Sequence, residues 1–175
     1  MTQELLSGLN GYDIPCRHTI QGGESMVCLI THGFGSSKDS PTAQLLAGEL
    51  PRHGIGTLAL DLPAHGDSPV DGDALSIRHC LDDLARAEAR ALELAPGARV
   101  VYFSSSFGAY LNLIYLSPRP HRGTRSFLRS AAVEMPLLFH APTPEQAEEL
   151  ARQGFLMLDQ GYVRPLKLTP AFLSD

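Results

Sequence analysis

The chain has 175 residues, 43% of them hydrophobic and 19% charged, with a net charge of −5. That is enough apolar side chain for one buried core, and too little positive charge for a general hold on nucleic acid or an anionic membrane. Cys16, Cys28 and Cys80 form no C-x-x-C pair, Met1–Glu4 is not the basic start of a signal peptide, and no run nears the roughly 20 apolar residues of a membrane span, so a cytoplasmic protein with reduced thiols is expected.

Residues 12–21 read as a short hairpin or paired edge strands. Met26–Thr31 is a continuous apolar run, the pattern of a strand covered on both faces. A Gly/Ser loop follows at 33–37. Pro41–Leu50 then reads as a helix with Ser40 as N-cap and Pro at its first position. Ile55–Leu60 is a second buried strand, followed by a Gly-, Pro- and Asp-rich loop over 61–73. Across 76–94, Ile77, Leu81, Leu84, Ala87, Ala91 and Leu94 recur at helical spacing, and Pro96-Gly97 stops that helix. Arg99–Phe103 is a third strand, 106–116 a helix and Ser126–Val133 a fourth strand. After Pro136 the βα alternation lapses. Thr143-Pro144-Glu145-Gln146 opens a capped helix that stops at Gly154, residues 155–168 hold short strands, and Thr169-Pro170 starts a last helix.

This order predicts an α/β fold, a mostly parallel sheet with helices on both faces. Ligands in such sheets bind beyond the carboxyl ends of the strands, here His32-Gly33-Phe34, Asp61-Leu62-Pro63, Ser104-Ser105-Ser106 and Glu134-Met135-Pro136.

The turn Phe103-Ser104-Ser105-Ser106-Phe107-Gly108 carries the chief chemical signal. A nucleophile on a sharp strand-to-helix turn needs small residues two before and two after it. Ser104 has Tyr102 before it, and Ser105 sits between Phe103 and Phe107. Only Ser106 has small residues on both sides, Ser104 and Gly108. The alternative is a Ser-rich N-cap on an ordinary helix. His32-Gly33-Phe34-Gly35 follows a buried strand, where a Gly-rich turn can preset backbone N–H donors toward an oxyanion. Phe34 and Phe107 would supply the two donors. His32 is read as a loop brace rather than a general base, because a base must face the hydroxyl. Asp61 and His65 are read as pinning loop to loop. No metal cluster, phosphate loop or dinucleotide fingerprint is present, so neither metal nor cofactor is expected.

His32-Gly33-Phe34-Gly35, Asp61-Leu62-Pro63-Ala64-His65-Gly66-Asp67-Ser68 and Ser104-Ser105-Ser106-Phe107-Gly108, in this order, resemble the α/β-hydrolase superfamily, and more narrowly its serine esterase and peptidase-like members. The resemblance covers about residues 10–136 well and the remainder loosely. It implies Ser106 as nucleophile, Phe34 and Phe107 as oxyanion donors, and His32, Gly33, Ser104 and Gly108 as supporting residues. The substrate would be a small acyl compound, cleaved through an acyl-serine. Residues 1–136 would form the core of the domain and 137–175 a cap, with Leu137, Leu138, Phe139, Phe155, Leu156 and Met157 either lining an acyl pocket or merely packing the cap.

The family's triad continues with an acid and then a His beyond the cap. A domain of about 250 residues would need roughly 70–90 more than this chain has. The histidines after Ser106 are His121, in an exposed-turn composition, and His140, the weak base candidate; Asp159 and Asp175 are weak candidates for the acid. The expectation is a hydrolase that lacks its acid and base, pairs with a second copy through an exposed sheet edge, and has little activity. The opposing expectation is a non-catalytic binding module or inactive remnant of the fold. A further one keeps the fold but turns it to acyl transfer or a cofactor-free peroxidase-type reaction.

Overall fold

The computed structural model describes residues 1–134, 142–159 and 161–174. A six-stranded sheet contains β1 (Thr2–Ser7), β2 (Asp13–His18), β3 (Met26–Thr31), β4 (Ile55–Leu60), β5 (Arg99–Ser105) and β6 (Gly123–Arg129), in the order β1-β2-β4-β3-β5-β6. The pairs β3–β4, β3–β5 and β5–β6 are parallel, while β1–β2 and β2–β4 are antiparallel. Helices α1 (Pro41–Glu49), α2 (Ile77–Leu94) and α3 (Phe107–Leu116) make the crossovers.

The uninterrupted apolar runs of β3 and β4 exist because both of their faces are covered. On one face Val27, Leu29, Leu58, Leu60, Val100 and Tyr102 pack against α2 and α3. On the other, Cys28, Ile30 and Ala59 meet Ala43, Leu46 and Leu50 at α1. Each such buried aliphatic side chain contributes about 1.5–3 kcal/mol relative to exposure. Glu88 of α2, itself buried, accepts hydrogen bonds from Tyr102 of β5, Tyr115 of α3 (3.1 Å) and the Arg122 N–H (2.6 Å) ahead of β6. One carboxylate thus ties three elements and the start of a fourth.

Two expectations need correction. Residues 12–21 do not form their own hairpin. Asp13–His18 lies inside the sheet between β4 and Thr2–Ser7, a strand whose mixed polar sequence hides it. The fourth parallel strand is Gly123–Arg129 rather than Ser126–Val133. The apolar Ala131-Ala132-Val133 lies beyond the strand, after Ser130 turns the chain with φ 49°.

Beyond β6, α4 (Pro144–Gln153) begins with a complete capping box. The Thr143 hydroxyl accepts from the Gln146 N–H, and the Gln146 side chain accepts from the Thr143 N–H. β7 (Leu156–Leu158) and β8 (Leu166–Leu168) form an antiparallel ribbon, and α5 (Pro170–Ser174) ends the described chain. Leu156, Leu166, Leu168 and Phe172 join the main core, whereas Met157 is 42% exposed. Leu137–Phe139 and His140 lie outside the described residues, as does Asp175. Among the described residues no helix is long and apolar enough to cross a membrane.

Candidate active site

The chain leaves β3 toward β4 on one side and later returns to β5 on the other, so the carboxyl ends of β3 and β5 flank a topological switch point, where such sheets bind ligands. His32-Gly33-Phe34 and Ser106 stand there. Ser106 is the N-cap of α3 with φ 51° and ψ −116°, a conformation that costs a non-glycine residue on the order of 1–3 kcal/mol. Its surroundings hold it from both sides. The Ser106 N–H donates to the Arg129 carbonyl (2.9 Å), and the Ser106 carbonyl accepts from Ala109 and Tyr110 (3.0 Å each) and from Ala132 (3.3 Å). The end of β6 therefore fixes the turn that follows β5.

Small residues let the two strand ends approach. A Cβ on Gly108 would collide with the carbonyls of Thr31 and His32, and one on Gly33 would lie 3.2 Å from the Ser106 Cβ. Ser104 is fully buried, and its hydroxyl has no hydrogen-bond partner among the described residues. The Phe107 N–H occupies the first helical position, which has no intrahelical acceptor and lies at the positive end of the helix dipole. Negative charge developing there is stabilised.

His32 is buried between the two loops. Its Nδ1 donates to the Gly33 carbonyl (2.7 Å) and its Nε2 accepts from the Leu62 N–H (3.1 Å). Both ring nitrogens are used, and burial pushes its pKa down to about 4. His65 lies 5.3 Å from it, ring to ring, and holds the Pro63 carbonyl through Nδ1 (2.8 Å). Burial, and then the neighbouring His32, push its pKa down to about 3. Both rings are therefore neutral braces near pH 7, the one firmly bonded to the Gly33 turn and the other to the Pro63 turn.

The Phe34 ring is boxed by His65 (5.2 Å), Phe107 (5.5 Å), Tyr162 (5.9 Å) and Phe172 (6.0 Å). The segment 161–174 is seated on this loop. The Val163 N–H donates to the Gly35 carbonyl (2.8 Å), and Arg164 reaches the Ser68 carbonyl (2.8 Å). Tyr162 and Phe172 escape sequence reading because an aromatic residue far down the chain carries no sign of its partner. On the α1 side of the turn, Thr31, Gly33, Ser36, Ser40 and Ser105 line a cavity of about 220 Å³.

Among the described residues no side chain hydrogen-bonds the Ser106 hydroxyl. His121 stands ahead of β6, at the opposite end of the sheet, and its ring packs near Tyr102 and Tyr115. With a rise of roughly 3.3 Å per residue along the strands, it is far from Ser106. Among the described residues no group of histidine, cysteine and carboxylate side chains could hold a metal ion.

Residues 23–162 match the family model of serine aminopeptidase, S33. The chain belongs to the serine aminopeptidase S33 family. No curated protein matches it in sequence. Among solved structures, alpha/beta hydrolase domain-containing protein 10 from mouse is similar with a TM-score of 0.74 and 16% identity, over 99% of this chain and 68% of its own. Est1E from Butyrivibrio proteoclasticus, solved with ferulic acid bound, gives 0.76 and 14%, over 98% and 69%. An epoxide hydrolase from Vigna radiata gives 0.58 and 22%, over 73% and 37%. The fold of this S33 family member is thus the α/β-hydrolase fold, and the chain is a hydrolase of that type.

Proposed function

We propose that this chain is a serine hydrolase acting on carboxylic esters or related acyl compounds, with Ser106 as nucleophile. The observation that carries the reading is the Ser106 backbone, held at φ 51° at the start of a helix, next to the glycine-rich turn that follows β3. Backbone strain at one polar residue on a switch point is a sign of function, since a mere N-cap needs none.

In this reading the Ser106 Oγ attacks the acyl carbonyl carbon. The carbonyl oxygen takes up the negative charge and is held by the Phe34 and Phe107 N–H groups. The carbon–oxygen bond to the leaving alcohol breaks, and the alcohol departs with a proton. Water then releases the acid from the acyl-serine. Loss of one oxyanion donor typically costs roughly 10²–10³ in rate. His32, Gly33, Ser104 and Gly108 support the geometry. The segment 137–175 acts as a cap, and among its described residues Tyr162, Val163 and Phe172 reach the oxyanion turn.

The proton must pass to a base. His32 has both nitrogens engaged, and His140 lies outside the described residues. On this reading an acyl-serine forms at Ser106. Incubation with p-nitrophenyl acetate followed by intact-mass measurement tests this. A single acetyl group on Ser106 is the expected result. Acetyl groups spread over lysines, with Ser106 unmodified, would overturn it.

A further inference from the structure

We infer that Asp61 and Lys38, remote from the nucleophile in sequence, are positioning residues that set the oxyanion turn. The inference rests on the catalytic reading above for its purpose and on geometry for its substance.

Asp61 follows β4 and is 1% exposed; Lys38 closes the turn after β3 and is 2% exposed. A carboxylate and an ammonium this deep are costly to desolvate unless every polar atom is engaged. Here they are. The Asp61 Oδ1 accepts the Lys38 backbone N–H (2.6 Å), while Oδ2 accepts both the Lys38 Nζ (3.0 Å) and the Asp67 N–H (2.9 Å). The Lys38 Nζ also donates to Asp39 (3.0 Å) and Asp67 (2.5 Å). One aspartate thereby holds the far end of the 32–38 loop to the 61–67 loop. At the near end, His32 makes the matching tie through the Leu62 N–H. Phe34 lies between these two staples, so its N–H direction is fixed by what the staples hold. Gly66 shows how closely the loop is moulded to this carboxylate: a Cβ there would strike the Asp61 side chain.

Asp61 spends one oxygen on the Lys38 N–H and shares the other with the Asp67 N–H, so it fixes main chain on both loops.

The test combines amide exchange with fluorophosphonate inactivation kinetics on the full chain. Variants are Asp61→Asn and, because a buried substitution can prevent folding, Asp67→Asn, whose side chain is 65% exposed. In Asp61→Asn, exchange of the 33–38 amides should rise at least 10-fold while α1 stays protected. The maximal rate of inactivation should fall roughly 10- to 100-fold, less than the full loss of a donor. The half-saturating concentration should change less than about two-fold. Asp67→Asn should show both effects in the same direction, at two- to five-fold. Normal exchange in Asp61→Asn overturns the proposal, as does an unchanged maximal rate in a chain whose parent is labelled. If the parent takes no label but Asp61→Asn still loosens the turn, the catalytic reading fails while the positioning of the turn stands. Should Asp61→Asn not fold, normal exchange in Asp67→Asn overturns the proposal.

Discussion

The loops after β3 and β4 and the strand β6 belong to one sheet, yet they are opposites. In the first region Asp61, Lys38 and His32 bond loop to loop, and His65, bonded to Pro63 of its own loop, packs its ring on His32 and Phe34; all four are buried. In the second, Thr124, Arg125, Ser126 and Phe127 are all exposed, and β5 is the neighbour β6 has in the described sheet. Phe127 is 63% exposed and stacks on Phe103 (5.3 Å) beside a groove of about 370 Å³ that includes Leu46, Leu50 and Val101. Parallel strands are normally covered on both faces. Here, among the described residues, the loops beside the candidate site are largely buried, while Phe127 on β6 is exposed beside the groove at α1. The candidate site thus lies on one flank of a sheet whose other flank exposes apolar surface at Phe127.

The first region is tightly fitted, so small changes there cost most. Gly108→Val drives a branched side chain into the carbonyls of Thr31 and His32 and should destabilise the fold by about 3 kcal/mol or more. Urea unfolding checks this, and a loss below 1 kcal/mol would show that the strand ends can part.

The pH dependence of stability sharpens the same contrast. His32 and His65 have folded pKa values of about 4 and about 3 against 6.5 when unfolded. Between those values the unfolded chain binds more protons, so their contribution is full above pH 6.5 and is lost as pH falls toward 4. Asp83 runs the other way. Burial, against the hydrogen bond it accepts from Tyr12, raises its pKa from 3.8 to about 7, so stability is lost as pH rises through that window. The two histidines outweigh one aspartate, and stability should drop by about 2 kcal/mol between pH 7 and pH 4.5, read from urea midpoints. Asp83→Asn removes the opposing group. It should raise stability at pH 8 and steepen the loss on acidification, read from the same urea midpoints.

The smallest effect on stability belongs to the bare region. Phe127→Lys should alter it by less than about 0.5 kcal/mol. The same variant should abolish self-association, since an open strand edge beside an apolar groove invites pairing with a second copy. Sedimentation equilibrium should find dimers of the parent chain and monomers of Phe127→Lys; a monomeric parent would break that half of the comparison.

These two regions also mark what the sequence discloses. Met26–Thr31 and Ile55–Leu60 are legible to the residue because strands covered on both faces are apolar throughout. The strain at Ser106 is legible because crowding restricts its second neighbours to Ser104 and Gly108. β6 is misplaced because its exposed residues carry no apolar signal, so Ala131-Ala132-Val133 draws the eye instead. β1 hides for a related reason: an antiparallel edge strand needs only Leu6 fully buried. Lys38 and Asp61 are 23 residues apart, and nothing in either local sequence announces that they meet. Periodicity reports burial, whereas pairing between loops is decided by the fold.

The central claim is that Ser106 is the reactive residue of this chain. Intact mass after prolonged exposure to a fluorophosphonate, compared with Ser106→Ala, tests it directly. The account predicts a slow, single adduct on the parent chain and none on Ser106→Ala. A folded parent chain that takes no adduct, or an adduct that survives in Ser106→Ala, would contradict it.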